Sequence, residues 1–387
     1  MKNILIAIRS IFKKGRHNVM KIVSLGIGLA VGLVLIAKVY FEQSYDDFYP
    51  DRDRVYQVWA KYQQNGGELK DYPQTSGGIA PTMQQQIPEI ETVTRYTSFG
   101  DWTFTMTDTK MKYSGRCIIA DSCFFDILPR PMLIGNAKEV LSTPMYVLIS
   151  SRIAKNIGGD VIGKNFTVDN SPGRTMTIGG VFEEVPENSH SRYDVIVSMA
   201  SAGRFMWEGS PTNMLGNDRY ISYVKLHKGV NPLALEEQVH TFVNSYFPPE
   251  EQQKTGFNIG FSFHELDGLH KELPQVKRMT WILSLLAFAL IFTAVMNYIL
   301  IVISSIVNRS KEVAVHKCYG ASENNIHGMM FGEALVHIVL SLILALLLIL
   351  AFRGTVEELL ATSLDSLLLS NGSLVLLGIC ILVFFVS

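Results

Sequence analysis

The amino-acid sequence predicts a membrane protein: an α-helical transmembrane bundle of four spans, the last incomplete, with a large α+β extracytoplasmic domain between spans 1 and 2. Two observations predict this fold class. Four long apolar runs lie at residues 22–37, 281–307, 334–352 and 373–387, and each reaches or approaches the length that crosses a hydrocarbon layer roughly 30 Å thick. About 240 mostly polar residues separate the first run from the second, whereas the other three runs share the last 107 residues.

The N-terminal segment carries the orientation signal. Residues 1–19 are predicted to form a cytoplasmic basic amphipathic helix, because the chain before Ile22 contains six Lys or Arg residues and no acidic residue. Excess positive charge marks the cytoplasmic side of a membrane, so span 1 (residues 20–40) runs outward. The alternative is a cleaved signal peptide. It is disfavoured because the basic segment is about 20 residues long, is itself amphipathic and precedes no small-residue cleavage site.

The polar stretch at residues 41–280 is the predicted extracytoplasmic domain. Alternating or β-rich patterns predict strands at residues 55–62, 102–107, 111–120, 145–150, 174–185, 194–199 and 220–226. Helical patterns lie at residues 79–87 and 150–157, and the clearest begins at Asn231 as N-cap with Pro232 at the first helical position. The domain holds 23 basic and 29 acidic residues without like-charge blocks, which gives no sign of nucleic-acid binding. Spacing permits a disulfide between Cys117 and Cys123 without requiring it.

The remaining spans follow in order. Span 2 is predicted at residues 281–307, a cytoplasmic coupling loop and helix at 308–332, span 3 at 333–352, a short extracytoplasmic loop at 353–372 and span 4 at 373–387. The last run has about 15 residues, fewer than the roughly 20 that a spanning helix needs. We therefore expect the chain to be truncated within span 4.

Two motifs in the outer domain imitate functional sites. Residues 158–165 (GGDVIGKN) have the glycine and lysine spacing of a phosphate-binding loop, but Asn165 stands where Ser or Thr should bind the metal, and the motif lies between a helical pattern and a strand pattern. His264 and His270 miss the spacing of a zinc-binding helix. We therefore predict no catalytic residue, no metal site and no cofactor in this chain.

The stretch NRSKEVAVHKCYGASENNIHGMMFGEAL, residues 308–335, carries a resemblance. It is similar to the cytoplasmic signature of FtsX-type ABC transporter permeases, in which an arginine and a glutamate precede a Gly-Ala-Ser turn and a later glutamate opens span 3. The matching residues are Arg309, Glu312, Gly320, Ala321, Ser322 and Glu333. The run Lys317-Cys318-Tyr319 departs from the arginine-rich pattern. The outer domain resembles the MacB-like periplasmic core domain, notably at residues 41–58 and 120–199.

The resemblance implies a permease subunit of an ABC transporter of the MacB, FtsX or lipoprotein-releasing type. Such a subunit is not an enzyme. It transmits conformational change, driven by a cytoplasmic ABC ATPase that binds the ATP, to the extracytoplasmic domain for efflux or extraction of a substrate. Implied partners are that ATPase, a second permease copy, a periplasmic adaptor or carrier, and the lipid of a bacterial inner membrane. The alternative is an FtsX-like regulator that activates a periplasmic partner such as a cell-wall hydrolase.

The coupling loop also makes physical sense. Gly320 can adopt a positive φ that ends one helix, and Ser322 can cap a short new helix. The apolar strip of this new helix is formed by Ile326, Met329 and Met330. Periodicity alone leaves two interpretations open: this helix rests on the membrane surface, or it docks on a soluble partner. The resemblance favours docking on the ATPase, and it extends this role to Lys311 between Arg309 and Glu312.

Three further positions concern packing within the membrane. Glu333, expected in the first turn of span 3, either caps the helix dipole or has a specific conformational role. Asn297 in span 2 is expected to hydrogen-bond a neighbouring helix. Gly28 and Gly32 form a GxxxG pattern in span 1, which permits close helix packing either within the chain or at a dimer seam.

The apolar strip provides the first test. Replacing Ile326 and Met329 with glutamate is expected to abolish stimulation of the partner ATPase, because charged side chains oppose docking in an apolar groove. Membrane insertion should stay intact in the same variant. ATP hydrolysis by the reconstituted complex is the measurement, and unchanged stimulation would contradict the coupling role.

Overall fold

The computed structural model describes residues 18–169, 171–216, 218–318 and 323–368. The chain divides into a membrane unit, Met1–Ser44 with Glu272–Ser387, and an outer unit, Tyr45–Lys271. Residues 1–17 of the predicted N-terminal helix (1–19) and span 4 lie outside the described residues.

The outer unit is built on one mixed sheet. Its strands are β1 Val55–Gln64, β2 Lys70–Tyr72, β3 Ile90–Met106, β4 Lys112–Ala120, β5 Met132–Ile134, β6 Tyr146–Ser150, β7 Asn165–Val168, β8 Ser171–Phe182, β9 Val195–Ser198, β10 Ile221–Leu226 and β11 Phe257–Glu265. The order is β11-β1-β10-β3-β4-β9-β6-β8-β5, with β2 beside β1, and β7 beside β3 and β8. Within the described residues only β4 with β9 and β6 with β8 pair in parallel. The α+β prediction is confirmed.

Short helices connect these strands. They are α2 Ile79–Gln86, α3 Phe124–Ile127, α4 Ala137–Ser142, α5 Ser151–Ile157, α6 Ala202–Phe205, α7 Glu236–Tyr246, α8 Pro249–Thr255 and α9 Gly268–Lys271. The predicted cap at Asn231 is confirmed: its side chain accepts the N–H of Leu233 at 3.0 Å, and a 3₁₀ turn, Pro232–Leu235, leads into α7. The GGDVIGKN motif is a turn between α5 and β7, where Gly158 has φ 75°. It opens no helix and is not a phosphate loop.

Alternation along the central strands produces two separate apolar cores. Ile118, Leu148 and Ile196 point into one core, whereas their neighbours in β4, β6 and β9 point into the other. Successive side chains of a strand face opposite sides of a sheet, so both faces here are covered. A third cluster joins β1 and β10 to α2 and α7. The central strands are therefore held from both sides.

The membrane unit contains α1 Asn18–Gln43, α10 Pro274–Cys318, α11 Glu323–Ala351, α12 Arg353–Leu360 and α13 Leu364–Leu368. Three helices in the described part of the chain are long and apolar enough to span a membrane, over Asn18–Gln43, Pro274–Ser304 and Phe331–Ala351. Helix α1 packs against both others, and Leu25 is fully buried between them. Antiparallel α10 and parallel α11 therefore flank span 1.

Glycines set the closeness of this packing. A Cβ at Gly28 would overlap the Cβ of Ala294, and a Cβ at Gly32 would overlap the side chain of Ile291, both on α10. Gly26 approaches the carbonyl oxygen of Ser341 on α11. The GxxxG pattern thus serves packing between spans 1 and 2 of the same chain.

Two boundaries differ from the sequence prediction. The coupling helix is not a separate short helix, because α11 runs unbroken from Glu323 through span 3. Span 2 likewise belongs to a 45-residue helix that begins at Pro274 and ends at Cys318. No proline lies inside either helix, and the two glycines of α11, Gly328 and Gly332, weaken a helix without ending it. A drop in hydropathy therefore does not mark a helix end here.

The glycine contact yields a stability prediction. Gly28→Ala should lower the melting temperature of the detergent-solubilised protein by several degrees, because the added methyl must push α1 away from Ala294. Gly332→Ala is the matched control, since a Cβ there meets nothing within 4 Å. Equal melting temperatures for both variants would show that α1 and α10 are not in close contact.

Candidate functional site

The coupling segment is the first sequence-predicted site. Arg309, Lys311 and Glu312 lie in the last turns of α10, and Ile326 and Met329 lie in the first two turns of α11. The structure describes the backbone but not the side chains of these five residues. Gly320, Ala321 and Ser322 lie outside the described residues. Two long helices therefore lead to and from this segment.

The predicted capping role of Glu333 is wrong. Glu333 lies ten residues after Glu323, where α11 begins, so it is far beyond the first turn. The helix dipole acts on charges within that turn and does not stabilise this carboxylate. Glu333 is instead buried, with 6% of its surface exposed. Its role lies in the interior of the bundle.

Glu333 belongs to a cluster of buried polar residues, here called the inner polar cluster. Its members are Asn18 and Lys21 of α1, Tyr298 of α10, and Glu333, His337 and Ser341 of α11. The three residues of α11 are spaced four apart and share one face of the helix. Ser341 Oγ donates to the carbonyl oxygen of Ile22 at 3.2 Å, and the His337 ring lies edge-on to the Tyr298 ring at 6.2 Å. The cluster thus touches all three helices.

Burial of charge makes this cluster energetically sensitive. Lys21 is 2% exposed and Glu333 is 6% exposed, and each of Asn18, Lys21, Glu333 and His337 has an interaction partner. Removing one partner of a buried charged group typically costs several kcal/mol. Loss of the partner of any of these buried charged groups would therefore destabilise the bundle.

The hydrogen bond from Asn297 to a neighbouring helix stays a prediction, because the described residues offer it no partner. Its side chain is exposed on α10, beside exposed Leu300, and has no hydrogen bond to the described residues. Among the described residues of the spans, buried polar groups include those of the inner polar cluster. Spacing contained a signal for them, because His337 and Ser341 are polar residues four apart within an apolar run.

The opposite end of α1 is also anchored. Lys38 forms an ion pair with Glu42 at 2.7 Å and donates to Thr362 Oγ1 at 2.7 Å, and all three residues are buried. Leu364 and Leu367 of α13 are buried too. Span 1 therefore carries a buried ammonium group near each end. Movement of α1 along its own axis would separate these groups from their partners.

The outer unit has a second candidate site where the chain enters and leaves it. The incoming segment, residues 45–54, and the outgoing segment, residues 265–271, are tied together. The Tyr45 ring stacks on the His270 ring at 3.5 Å with an interplanar angle of 9°. Lys271 Nζ bridges Asp47 and Asp267, each at 2.9 Å, and Arg52 Nε reaches Asp267 at 2.9 Å. We call this set of contacts the clamp.

The charge of Lys271 is stabilised within the clamp. Partial burial disfavours the ammonium, but hydrogen bonds to Asp47 and Asp267 raise the pKa of Lys271 above its ordinary value. The carboxylates are more than a third exposed, so solvent screens these pairs. The clamp therefore depends on the ring stack and on several pairs acting together.

A buried hydrogen-bond chain roots the incoming segment in the sheet. His190 Nδ1 donates to Asp46 Oδ2 at 2.6 Å, and the Tyr223 hydroxyl of β10 donates to His190 Nε2. Ser189 Oγ donates to Asp46 Oδ1 at 2.7 Å. Burial raises the pKa of Tyr223 well above its ordinary value, which keeps the hydroxyl protonated as a donor. Asp46 lies three residues after the end of α1, at φ 59°.

The buried hydrogen-bond chain also resembles the Asp-His-Ser triad of a hydrolase. Ser191 Oγ lies 3.1 Å from His190 Nε2, which completes an Asp-His-Ser order with Asp46. Ser191 is 3% exposed, and its hydroxyl forms a hydrogen bond of 2.7 Å with the Tyr96 hydroxyl. A nucleophile needs access to a substrate carbonyl, and this serine has none. The arrangement is structural.

The structure also gives positions for the two histidines that miss the zinc-binding spacing and for the two cysteines that could have formed a disulfide. His264 stacks on Trp59 at 4.1 Å, and His270 belongs to the clamp. Cys117 and Cys123 are free thiols, so the pairing that spacing permitted is not formed. Asp46, His190 and Tyr223 were missed by sequence reasoning, because nothing local in the sequence connects them.

Two known protein families match this chain. The MacB-like periplasmic core domain family matches residues 20–242, more than half of the chain, and the FtsX-like permease C-terminal family matches residues 284–387. The crystal structure of a domain of a proposed permease protein from Porphyromonas gingivalis is 33% identical, with a TM-score of 0.52, and the match covers 56% of this chain and 91% of that one.

Two more distant structures are similar to the chain. The periplasmic region of MacB from Actinobacillus actinomycetemcomitans is 15% identical with a TM-score of 0.37, and the match covers 53% of this chain and 87% of that one. The extracellular domain of the noncanonic ABC-type transporter YknZ from Gram-positive bacteria is 11% identical with a TM-score of 0.37, covering 53% and 98% respectively. Among curated proteins, no sequence matches this chain.

The buried hydrogen-bond chain yields a stability prediction. His190→Ala should destabilise the protein by about 3 kcal/mol, because Asp46, whose side chain is 1% exposed, loses its charge-assisted partner. A loss of this size lowers the melting temperature of a unit this large by roughly 6 to 12 °C. His227→Ala, at an exposed position, is the control and should change it by less than about 2 °C. Thermal unfolding is the measurement, and equal curves would contradict the anchoring role.

Proposed function

The chain belongs to the family defined by the MacB-like periplasmic core domain, joined to an FtsX-like permease region, and is a permease subunit of an ABC transporter; we propose that it transmits ATP-driven motion through the membrane to its outer unit. The proposed motor is a separate cytoplasmic ABC ATPase. The proposed location is a bacterial inner membrane with the N-terminus in the cytoplasm, supported by the basic residues before Ile22. Export or extraction of a substrate is the proposed outcome.

Continuity of α10 is the observation that carries this proposal. Helix α10 begins at Pro274, three residues after Lys271 of the clamp, and runs for 45 residues to Cys318. At 1.5 Å per residue the helix is about 67 Å long, more than twice the roughly 30 Å of a hydrocarbon core. Its interior contains neither Gly nor Pro. Such a helix is stiff, so displacement of its inner end reaches its outer end.

The outer end of this path is built to receive motion. The clamp joins the incoming segment to the outgoing segment, so the two ends of the outer unit move together. Asp46 then connects the incoming segment through His190 to Tyr223 in β10, a strand inside the sheet. Tight packing on both faces of the sheet transmits strain rather than absorbing it.

Continuity of α11 supports the proposed coupling to the ATPase at the cytoplasmic end of the spans. Ile326 and Met329 lie in the same unbroken helix as Glu333 and His337, so docking of an ATPase on the first turns would shift the helix as a whole. The inner polar cluster makes the position of α11 relative to α1 energetically defined. Two alternative arrangements of such buried groups would provide the discrete states that a coupled cycle requires.

A second permease copy is the remaining proposed partner. The exposed face of α10 combines Leu300, which is 60% exposed, with the exposed amide of Asn297. An amide facing hydrocarbon is unfavourable unless it bonds across to another helix. This supports pairing of two copies through span 2.

Interrupting α10 tests the transmission. Ile306→Pro removes a helical hydrogen bond and kinks the helix, at a cost of about 3 kcal/mol. We expect ATP to alter hydrogen exchange of backbone amides in residues 45–271 in the wild-type complex and to lose that effect in the variant. Ile306→Ala is the matched control and should retain it.

The interpretation depends on assembly of the complex. Copurification of the ATPase with the Ile306→Pro chain establishes that the partner still binds. An ATP response of the outer unit that survives the kink would overturn transmission through α10. A wild-type complex without any ATP response of the outer unit would overturn the proposed function itself.

A further inference from the structure

The two end strands of the sheet in the outer unit, β5 and β11, are built differently. Strand β5 has three residues, directly follows Pro131, and shifts register against β8 between Met132 and Ile134. Short length, proline and bulges keep a sheet edge from pairing with another chain. Strand β11 has nine residues, all paired with β1 in an unbroken register, and it contains neither Pro nor Lys. The edge at β11 therefore lacks these protections.

Hydrogen bonds at the two ends of β11 show which of its backbone groups face outward. Leu266 N donates to Val55 O at 2.9 Å, and Asn65 N donates to Gly256 O at 2.6 Å. In an antiparallel pair, residues that bond to the partner strand alternate with residues whose N–H and C=O point away from it. The even-numbered residues of β11 therefore bond to β1, and the odd-numbered ones direct their backbone groups to the open edge. These odd-numbered residues include Ile259, Phe261 and Phe263.

The open edge is a fixed row of donors and acceptors beside an apolar row. Within the described residues, β11 pairs with β1 alone, and no backbone hydrogen bond from elsewhere reaches the N–H or C=O of Ile259, Phe261 or Phe263. The side chains of these three residues are half-buried and pack against the core that joins β1 and β10 to α2 and α7. Packing holds the strand in place, so an added strand would meet a preformed edge.

We propose that β11 pairs antiparallel with β11 of a second copy of this chain, about a two-fold axis that passes beside Phe261. The strand is complementary to itself in this register. Ile259 lies opposite Phe263 of the second copy, and Glu265, the one Asp, Glu, Lys or Arg residue of β11, lies opposite Phe257. No like charges therefore meet. Because a two-fold axis normal to the sheet keeps each face on its own side, the two half-buried apolar rows cover each other.

Membrane anchoring makes this limited contact sufficient. An edge pair of nine residues is smaller than a stable protein interface of standard size, so it needs a second attachment. Strand β11 leads through α9 into α10, whose exposed Asn297 and Leu300 support pairing of two copies. Two copies attached at one place pair at another with a high effective concentration. The inference rests on the proposed function only for the presence of the second copy.

Disulfide cross-linking of the full chain tests the pairing. In the proposed register, Gly260 lies opposite Ser262 of the second copy in a non-hydrogen-bonded pair, whose Cβ atoms are about 5 Å apart. A Gly260→Cys chain and a Ser262→Cys chain carry different affinity tags and are produced together, with the native Cys123, Cys318 and Cys380 replaced by Ser. The new Cβ at position 260 makes ordinary contact at 3.7 Å. Mild oxidation of the membranes, without ATP, should give a cross-linked species that carries both tags.

A control one strand away from the edge measures chance collision. Lys61→Cys replaces Gly260→Cys in the control, because Lys61 lies opposite Gly260 on β1. Two strand spacings, together about 10 Å, then separate the thiols of the two copies, which is beyond the reach of a disulfide. The cross-linked fraction should fall about tenfold or more. Asn258→Cys with His264→Cys forms the next pair of the same register and should give an independent cross-link.

The outcomes separate this pairing from the proposed function. Copurification of the two tags without either cross-link, or equal cross-linking in the control, would overturn pairing through β11 and leave the second copy in place. Cross-linking of the Ser262→Cys chain to a different protein would assign the edge to that protein and overturn the proposal. Failure of the two tags to copurify would overturn the second copy itself, and this inference with it. Since ATP is absent, transmission through α10 does not affect the result.

Discussion

Joining the incoming and outgoing segments of the outer unit is the constraint on which the rest of the structure depends. The chain enters the outer unit through the incoming segment and leaves it through the outgoing segment. The unit responds to the two flanking helices as one body only if these two segments are joined. Tyr45 and His270 tie them by stacking, and Lys271 ties Asp47 to Asp267. The buried chain from Asp46 through His190 to Tyr223 then fixes this junction to the sheet. Both connections support the proposed transmission, because they join the incoming segment to the outgoing segment and to the sheet.

The membrane unit meets a different constraint, which is the cost of buried charge. Lys21 and Glu333 are withdrawn from water at one end of the bundle, and Lys38 with Glu42 at the other end of α1. Such groups are costly in a low-dielectric interior unless each keeps its partners. They therefore define the positions of α1 and α11 more sharply than apolar contacts alone would. Close approach at Gly28 does the same between α1 and α10, since no other residue fits there.

Most of the secondary structure could be predicted because its causes are local. The strands β1, β4, β6 and β10 appear within two residues of the sequence-based bounds, since alternation of apolar residues is visible in any window. Only the last five of the 17 residues of strand β3 were predicted. It runs over Ile90–Met106, but a bulge between Ser98 and Gly100 shifts the register and interrupts the alternation. The break between the coupling helix and span 3 was wrong because hydropathy changes there while helix propensity does not.

The sequence by itself determined that the chain has apolar spans around one large α+β unit, that Asn231 caps a helix, and that the segment after span 2 resembles a permease coupling loop. Periodicity, hydropathy and capping are properties of neighbours in the chain, so they can be read without the fold. Only the tertiary structure decided that Asp46 meets His190, 144 residues away, and that the Tyr45 ring stacks on the His270 ring. It also decided that Glu333 is buried and that Asn297 is exposed. These contacts join distant segments, and their partners are selected by packing, which no local pattern records.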